Sequence, residues 1–258
     1  MLKRFVADFT IVENTPIGVG FFRLILQHQS KLPQINAGQF VEIQIPDTAH
    51  TFLRRPISIH DVNYNNNTIS LLVKNVGNGT NLLSKLSIND TINIVYPLGN
   101  GFTIDDNYRK VLLVGGGVGI APLLYLGKLL KSKGVEVEIL LGARDAEGLL
   151  CLSDFEQIGK INITTEDGSV GTKGFVTNHE IMLRLGDKFD AVMVCGPTPM
   201  MKAVGQVCLD ANVTCEVSLE NKMACGIGVC LCCVTKTKEG HKCVCSEGPV
   251  FNIKQLEW

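Results

Sequence analysis

Six of the ten cysteines in this 258-residue chain fall between positions 225 and 245, and the types and spacing of residues there set the chemistry to look for first. Cys225, Cys230, Cys233 and Cys245 are spaced C-x4-C-x2-C-x11-C. Thiolates at that spacing fit the irons of a plant-type [2Fe–2S] centre, which exchanges single electrons. Gly226 and Gly228 lie inside the loop, where a chain wrapped round a cluster needs positive φ and amides aimed at sulfur. A structural zinc site more often pairs two C-x2-C knuckles, a pattern the x4 gap and the distant fourth cysteine fit poorly. Disulfides are disfavoured by the crowding of the cysteines and the lack of a secretory signal. Cys232 and Cys243 stand outside the pattern. They read as buried apolar neighbours and leave the choice of ligands open.

Upstream, two kinds of stretch suit phosphates. Leu53-Arg54-Arg55-Pro56-Ile57-Ser58-Ile59 places an arginine and a serine on an extended segment, offering a fixed guanidinium for a pyrophosphate and a face for a flat ring. Val76-Gly77-Asn78-Gly79-Thr80 precedes an apolar helical pattern (Leu82, Leu83, Leu86), so a helix N-terminus able to receive phosphate is expected, with Thr80 as a candidate cap. Gly115-Gly116-Gly117-Val118-Gly119-Ile120-Ala121-Pro122 then lets backbone approach a second pyrophosphate. It lacks the last glycine of the Rossmann fingerprint. Cys195-Gly196-Pro197-Thr198-Pro199-Met200-Met201 follows a further strand, with Thr198 expected to cap and Pro199 to open the next helix. Each motif alone also fits an ordinary turn. Cys195 as a nucleophile has no histidine near it in sequence to activate it.

Positioning these residues takes two kinds of scaffold and a small tail. β-Branched and aromatic runs at 5–12, 20–27, 40–45, 69–73 and 91–95, punctuated by turn residues, predict a barrel or sandwich of five or six antiparallel strands. Strand 110–114, helix 123–132 and strand 135–141 predict a βαβ unit, joined by strands at 189–194 and 214–218, hence a Rossmann-like parallel sheet. The remaining forty or so residues carry the cysteines and a hairpin over 234–243. They are too few to hold themselves together without a staple such as a cluster. Domains are therefore expected at 1–101, 102–218 and 219–258.

Composition narrows the class. A net charge of −1 gives no electrostatic case for nucleic acid or an acidic membrane surface. The uncharged run 111–127 is broken by four glycines and Pro122, so it does not read as a membrane span. Met1-Leu2-Lys3-Arg4-Phe5-Val6-Ala7-Asp8 does not read as a secretory signal. Cys151, Cys195, Cys208 and Cys215 lie scattered in apolar surroundings, which suggests a reducing, cytoplasmic setting. The second strand ends in Leu141 with no acidic residue, and Gly142-Ala143-Arg144-Asp145 follows. Arg144 faces either a 2′-phosphate or solvent, so NAD and NADP are not separated.

Taken in order, Arg-Pro-Ile-Ser, the glycine-rich turn at 77–79 and Pro-Leu-Gly-Asn-Gly-Phe at 97–102 resemble the flavin domain of the ferredoxin–NADP reductase superfamily, and G-G-G-V-G-I-A-P and C-G-P-T-P-M its nicotinamide site. With S-L-E, M-A-C-G-I-G-V-C-L-C-C and V-C-S-E-G-P-V-F, the whole chain resembles the electron-transfer subunits of class 1B dihydroorotate dehydrogenase. That resemblance implies FAD held by Arg55, Pro56, Ile57, Ser58, Leu72, Val73, Lys74, Gly79 and Thr80. It implies NAD at Gly115, Gly116, Gly117, Gly119, Cys195, Gly196 and Pro197, and cluster ligation by Cys225, Cys230, Cys233 and Cys245. It also implies a catalytic partner carrying FMN, a heterotetramer of two copies of each subunit, and a place in pyrimidine biosynthesis. Lys74 departs from the arginine expected there: the charge is kept, the bidentate fork lost. A stand-alone NAD(P)H reductase serving a ferredoxin, oxygenase or hydrogenase shares every motif. A zinc-stapled binding protein is the reading outside redox chemistry.

Overall fold

The computed structural model describes residues 3–46 and 51–258; Met1 and Leu2, the first two residues of the N-terminal stretch read above, lie outside them. Six strands close into a barrel: β1 Phe5–Gly18, β2 Phe21–Gln27, β3 Phe40–Ile43, β4 Arg55–Asn63, β5 Thr68–Lys74 and β6 Thr91–Leu98, with α1 Asn78–Leu83 between the last two. Their order is β1-β2-β5-β4-β3-β6. Along β2, Phe22, Leu24 and Leu26 are buried while their neighbours are not, the period-two alternation of a sheet with one face on the core. Five strands fall where alternation predicts them. The sixth, β4, is the Arg-Pro-Ile-Ser segment itself, so that motif is part of the barrel wall.

The second layer system is a sheet built from β7 Lys110–Gly116, α2 Ala121–Ser132, β8 Glu136–Ala143, α3 Leu152–Glu156, β9 Lys160–Thr165, β10 Thr172–Lys173, α4 Leu185–Lys188, β11 Ala191–Cys195, α5 Thr198–Asp210 and β12 Thr214–Ser218. From the tail come β13 Val234–Thr237, β14 Gly240–Cys243, α6 Val244–Glu247 and β15 Val250–Asn252. The sheet order is β10-β9-β8-β7-β11-β12-β15. β7 and β11 are buried along almost their whole length, as parallel strands covered on both faces must be. The chain leaves β7 for β8, β9 and β10 on one side, then returns to place β11 and β12 on the other. The crevice between the carboxyl ends of β7 and β11 is therefore the switch point at which ligands bind open α/β sheets.

Two features depart from the sequence expectations. α2 begins at Ala121 after a 3-10 turn, Gly117–Ile120, with Pro122 in its first turn where its missing N–H costs nothing. The tail is not self-contained. β15 pairs antiparallel with β12, Leu219 N–H donates to the Pro249 carbonyl at 2.9 Å, and Asn100 N–H donates to the Gly248 carbonyl at 2.6 Å. Val244, Cys245 and Phe251 share a core with Val217 of β12 and Leu98 of β6. Barrel and sheet thus supply much of the burial that forty residues lack on their own.

Candidate functional site

The cysteine loop, residues 225–233, has no regular secondary structure; its shape comes from left-handed residues and from sulfur contacts. Gly226 (φ 66°) and Gly228 (φ 85°) take up conformations that a side chain disfavours. Gly226 also lies against the barrel, where a methyl group would stand 2.7 Å from Glu42 Cγ. Ile227 N–H points at Cys225 Sγ (3.5 Å), Gly228 N–H at Cys245 Sγ (3.1 Å) and Cys245 N–H at Cys233 Sγ (3.3 Å). Such amides favour thiolate. Burial pushes the Cys225 thiol up, but N–H groups of Ile227, Cys230 and Val229, with the Cys230 thiol, outweigh it and bring it down to about 6. Cys245, more enclosed, is pushed up to about 12 by burial and by Cys233.

The sulfurs form two pairs, Cys225 with Cys230 and Cys233 with Cys245. Among the described residues, no three of the four lie within 4.8 Å of one another. Four thiolates on one zinc ion would stand about 3.8 Å apart, given zinc–sulfur bonds of ~2.3 Å. Sulfurs that do not gather three together within 4.8 Å suit two irons rather than one ion, as their C-x4-C-x2-C-x11-C spacing does, so the donor set fits a [2Fe–2S] cluster. Cys243 is buried as expected, its sulfur 4.0 Å from the Gly228 carbonyl oxygen. Cys232 is exposed, which corrects its reading as a buried neighbour. Flanked by left-handed Leu231 (φ 59°), it is carried on the outward limb of the loop.

On the barrel, the two arginines part company. Arg54 is committed to the wall, donating to the Glu42 carbonyl (3.2 Å), the Asn93 carbonyl (3.1 Å) and Asn93 Oδ1 (2.6 Å). Arg55 turns to α1, where a methyl on Gly79 would stand 2.6 Å from its Nε. Its Nη1 also donates to the Leu53 carbonyl at 2.7 Å. The Arg-Pro-Ile-Ser motif and the glycine turn thus form one surface, with Pro56, Ile57 and Ser58 half-buried beside it. Leu72 and Val73 are buried, and Lys74 ends β5 with its ammonium 5.5 Å from the Phe21 ring centroid. Thr80 does not cap α1. It sits in the first turn, and its hydroxyl oxygen accepts from the N–H groups of Val76 (2.9 Å) and Gly77 (3.1 Å).

The nicotinamide motifs meet at the switch point. Cys195 is in register with Gly115 across β11 and β7. A methyl on Gly119 would stand 2.5 Å from the Cys195 carbonyl oxygen, and one on Gly116 2.6 Å from Met200 Sδ. Gly117 (φ 56°) has open space above its Cα, so its backbone is free to be approached. Pro197 precedes α5, where Thr198 and Pro199 are the first two residues; Thr198 is inside the helix and not its cap. Cys195 is fully buried, and burial together with the Glu220 carboxylate, 3.8 Å from its sulfur, pushes its thiol well up. A protonated, enclosed thiol is inert, which removes the nucleophile reading. Burial raises the proton affinity of Glu220, opposed by its hydrogen bond to Cys195 and by the field of Lys74 on the barrel.

Motif spacing misses several supporting groups. Glu42 is a charged residue in a fully buried strand, both carboxylate oxygens without a partner among the described residues. Burial, opposed by Arg54, pushes its carboxyl up to about 7. The sole signal for it in sequence is one acid inside the apolar run Phe40-Val41-Glu42-Ile43. Asn221 Nδ2 holds the Cys233 carbonyl at 3.2 Å, and Glu247 Oε2 accepts from Cys243 N–H at 2.8 Å. The first braces the end of the cysteine loop, the second the strand end that leads into Cys245.

Residues 9–102 match the oxidoreductase FAD-binding domain family, 113–206 the oxidoreductase NAD-binding domain family, and 220–257 the iron–sulfur cluster binding domain of dihydroorotate dehydrogenase B. The chain is 42% identical over 250 residues to the dihydroorotate dehydrogenase B (NAD(+)) electron transfer subunit of Clostridium perfringens, covering 96% of each. It is 40% identical to the same subunit from a Geobacillus species, covering 96% of this chain and 97% of that one. Among solved structures, the NADH-dependent reduced ferredoxin-NADP oxidoreductase of flavin-based electron bifurcation superposes with a TM-score of 0.87 at 35% identity, over 98% of this chain and 90% of that one. A cytochrome P450 reductase from Amycolatopsis, at 22% identity and a TM-score of 0.70 over 82% of this chain and 68% of that one, shares the fold. With a barrel, a switch-point crevice and a two-pair cysteine loop in one chain, and relatives of this identity over nearly its full length, the protein belongs to the family of electron transfer subunits of dihydroorotate dehydrogenase B (NAD(+)).

Proposed function

We propose that this chain passes electrons from a dihydroorotate-oxidising, FMN-bearing partner to NAD+. The observation that carries the reading is the contiguity of three sites. The cysteine loop rests on the barrel through Gly226 and Glu42, and Glu220, hydrogen-bonded to Cys195 of the crevice, lies in the field of Lys74 at the end of β5. When bound, the cluster exchanges one electron at a time, the nicotinamide a hydride, and the flavin both, which requires FAD between the other two. Arg55, Pro56, Ile57, Ser58, Leu72, Val73, Lys74, Gly79 and Thr80 hold FAD. The Arg55 guanidinium and the α1 turn take the phosphates, and buried Leu72 and Val73 offer backbone. Gly115, Gly116, Gly117 and Gly119 with Cys195, Gly196 and Pro197 admit NAD at the switch point. Cys225, Cys230, Cys233 and Cys245 ligate the cluster, with Cys232 and Cys243 as neighbours.

The partner docks on the outer limb of the loop. Val229 and Leu231 are 73% and 64% exposed there, beside exposed Cys230. Apolar side chains next to an electron exit suit a surface covered on assembly. We take the assembly to be two copies of each subunit in the cytosol, with the chain divided at 1–101, 102–218 and 219–258. No helix among the described residues is long and apolar enough to cross a membrane. The test is an anaerobic absorption and EPR titration of the co-expressed complex with dihydroorotate and then NADH. Bleaching of flavin and cluster by both donors is expected. Reduction by NADH alone, with a diffusible ferredoxin as acceptor, would favour the stand-alone reductase reading, which the likeness to the ferredoxin-NADP oxidoreductase keeps in play.

A further inference from the structure

His60, on β4 of the barrel, is 1% exposed and faces the nucleotide domain. Its Nδ1 lies 2.8 Å from the Ala121 carbonyl oxygen at the start of α2. A carbonyl only accepts, so Nδ1 carries the proton, and burial disfavours a second one on the ring. Nε2 is then a bare lone pair, buried and without a partner among the described residues. The ligand atoms of His60, Cys151 and Asp154 all lie within 4.8 Å of one another. Cys151 immediately precedes α3 in a left-handed conformation (φ 56°, ψ 27°), unusual for a residue with a side chain, and Asp154 is in the first turn of that helix. A cavity of about 330 Å³ opens beside them, lined by His60, Asp154, Ser70 and Lys128 among others, and Ser70 Oγ is also without a partner.

We propose that His60 Nε2, Cys151 Sγ and Asp154 bind one zinc ion at the seam between the flavin barrel and the nucleotide domain, with a fourth position open to the cavity for water. Imidazole, thiolate and carboxylate are the zinc donors, and three protein ligands with one open position is the geometry of an accessible zinc site. The Nδ1–H donated to a backbone carbonyl is the outer hydrogen bond that metal-ligating histidines use to fix ring and tautomer. Binding breaks the Cys151 S–H bond and sends that proton to solvent as the zinc–sulfur bond forms, so thiolate and carboxylate balance the ion's charge. The nearby cations do not fill the site. Lys128 pairs with Asp61 at 2.5 Å, and Arg23 gives its Nε to Glu13 at 2.9 Å, reaching Asp154 only at 3.9 Å. Because His60 comes from one domain and the other two ligands from its neighbour, the ion would clamp the interdomain angle.

The test uses the complete chain carrying its flavin and cluster, given one equivalent of zinc under anaerobic conditions, desalted, and assayed for zinc and iron by mass spectrometry. One zinc per chain is expected beside unchanged iron, with a loss of at least about tenfold in retained zinc in His60→Gln and Cys151→Ser, whose iron and flavin stay as in the parent. Zinc-edge X-ray absorption of the unaltered protein should show one sulfur with nitrogen and oxygen, and needs no variant to fold. No retained zinc, equal zinc in both variants, or a shell of four sulfurs, which would place the ion on the cluster cysteines, each overturns the proposal.

Discussion

Gly119 lies against Gly196: a methyl on the first would stand 2.5 Å from Cα of the second. Two strands that are not neighbours in sequence are brought backbone to backbone at the switch point, and only hydrogen at residue 119 permits it. Gly119→Ala forces the two loops apart, because the obstruction is main chain and cannot swing away. NADH affinity should fall about tenfold or more, with a stability loss of about 1–3 kcal/mol from overpacking. Flavin and iron content should be retained. Stopped-flow reduction by NADH reads the affinity, and an unchanged value would separate this contact from nicotinamide binding.

Gly79 offers the contrasting case. A methyl there meets the Nε of Arg55 at 2.6 Å, the outer part of a flexible side chain, so the fold should yield cheaply. The displaced guanidinium is the one free to take a flavin phosphate, since Arg54 is held in the barrel wall. Gly79→Ala should therefore change thermal unfolding of the apoprotein by no more than about 1 kcal/mol, because the better helix propensity of alanine offsets the displacement of Arg55. FAD affinity should weaken about tenfold, the worth of one charge-assisted contact. Fluorescence titration of apoprotein with FAD checks the second number and calorimetry the first.

The fourth cluster ligand is decided between two cysteines two residues apart. Cys245 Sγ receives the Gly228 amide at 3.1 Å and lies beside Cys233, whereas Cys243 Sγ faces the Gly228 carbonyl oxygen at 4.0 Å, with no amide donated to it among the described residues. Cys245→Ser should abolish the reduced-cluster EPR signal and drop iron below half of the parent. Cys243→Ser should keep both. A cluster that survives the first change and not the second would exchange their roles.

Legibility in the sequence followed the range of the interactions. The cysteine spacing, the glycines at 226 and 228 and the C-G-P turn are local devices, whose φ angles and spacings are dictated within a few residues, and they stand where reading placed them. Thr80 stands inside its helix and not at the cap because a hydroxyl satisfies backbone amides from the first turn as well; Thr198 stands one residue past the cap, a position Pro197 takes instead. β15 has three residues and too little alternation to be seen; its pairing is decided by the free edge of β12. Glu42 and His60 acquire meaning only from what tertiary packing puts opposite them, the cysteine loop in one case and Cys151 in the other.

Glu138 on β8 lets fold stability be separated from ligand binding by pH. The residue is 4% exposed, with Lys110 Nζ and Lys188 Nζ each 2.8 Å from Oε1. Burial raises its proton affinity, but the two ammonium groups outweigh burial and hold the carboxyl below its ordinary value. A depressed folded-state value means that the stabilisation is present in full above the unfolded value of about 4.3 and is lost as pH falls through the folded one. Both lysines are partly exposed, so solvent screening limits the effect, and Glu138→Gln should cost about 1–2 kcal/mol at pH 7. The gap between parent and variant should close as the medium is taken below pH ~4. Lys110 opens β7, so this ion pair sits at the end of the sheet opposite the nicotinamide crevice. NADH affinity at pH 7 should therefore be unchanged in the same variant. Thermal melts across pH, with NADH binding measured beside them, make the test. A parent–variant gap that stays constant down to pH 3 would show that Glu138 contributes through packing and not through its charge.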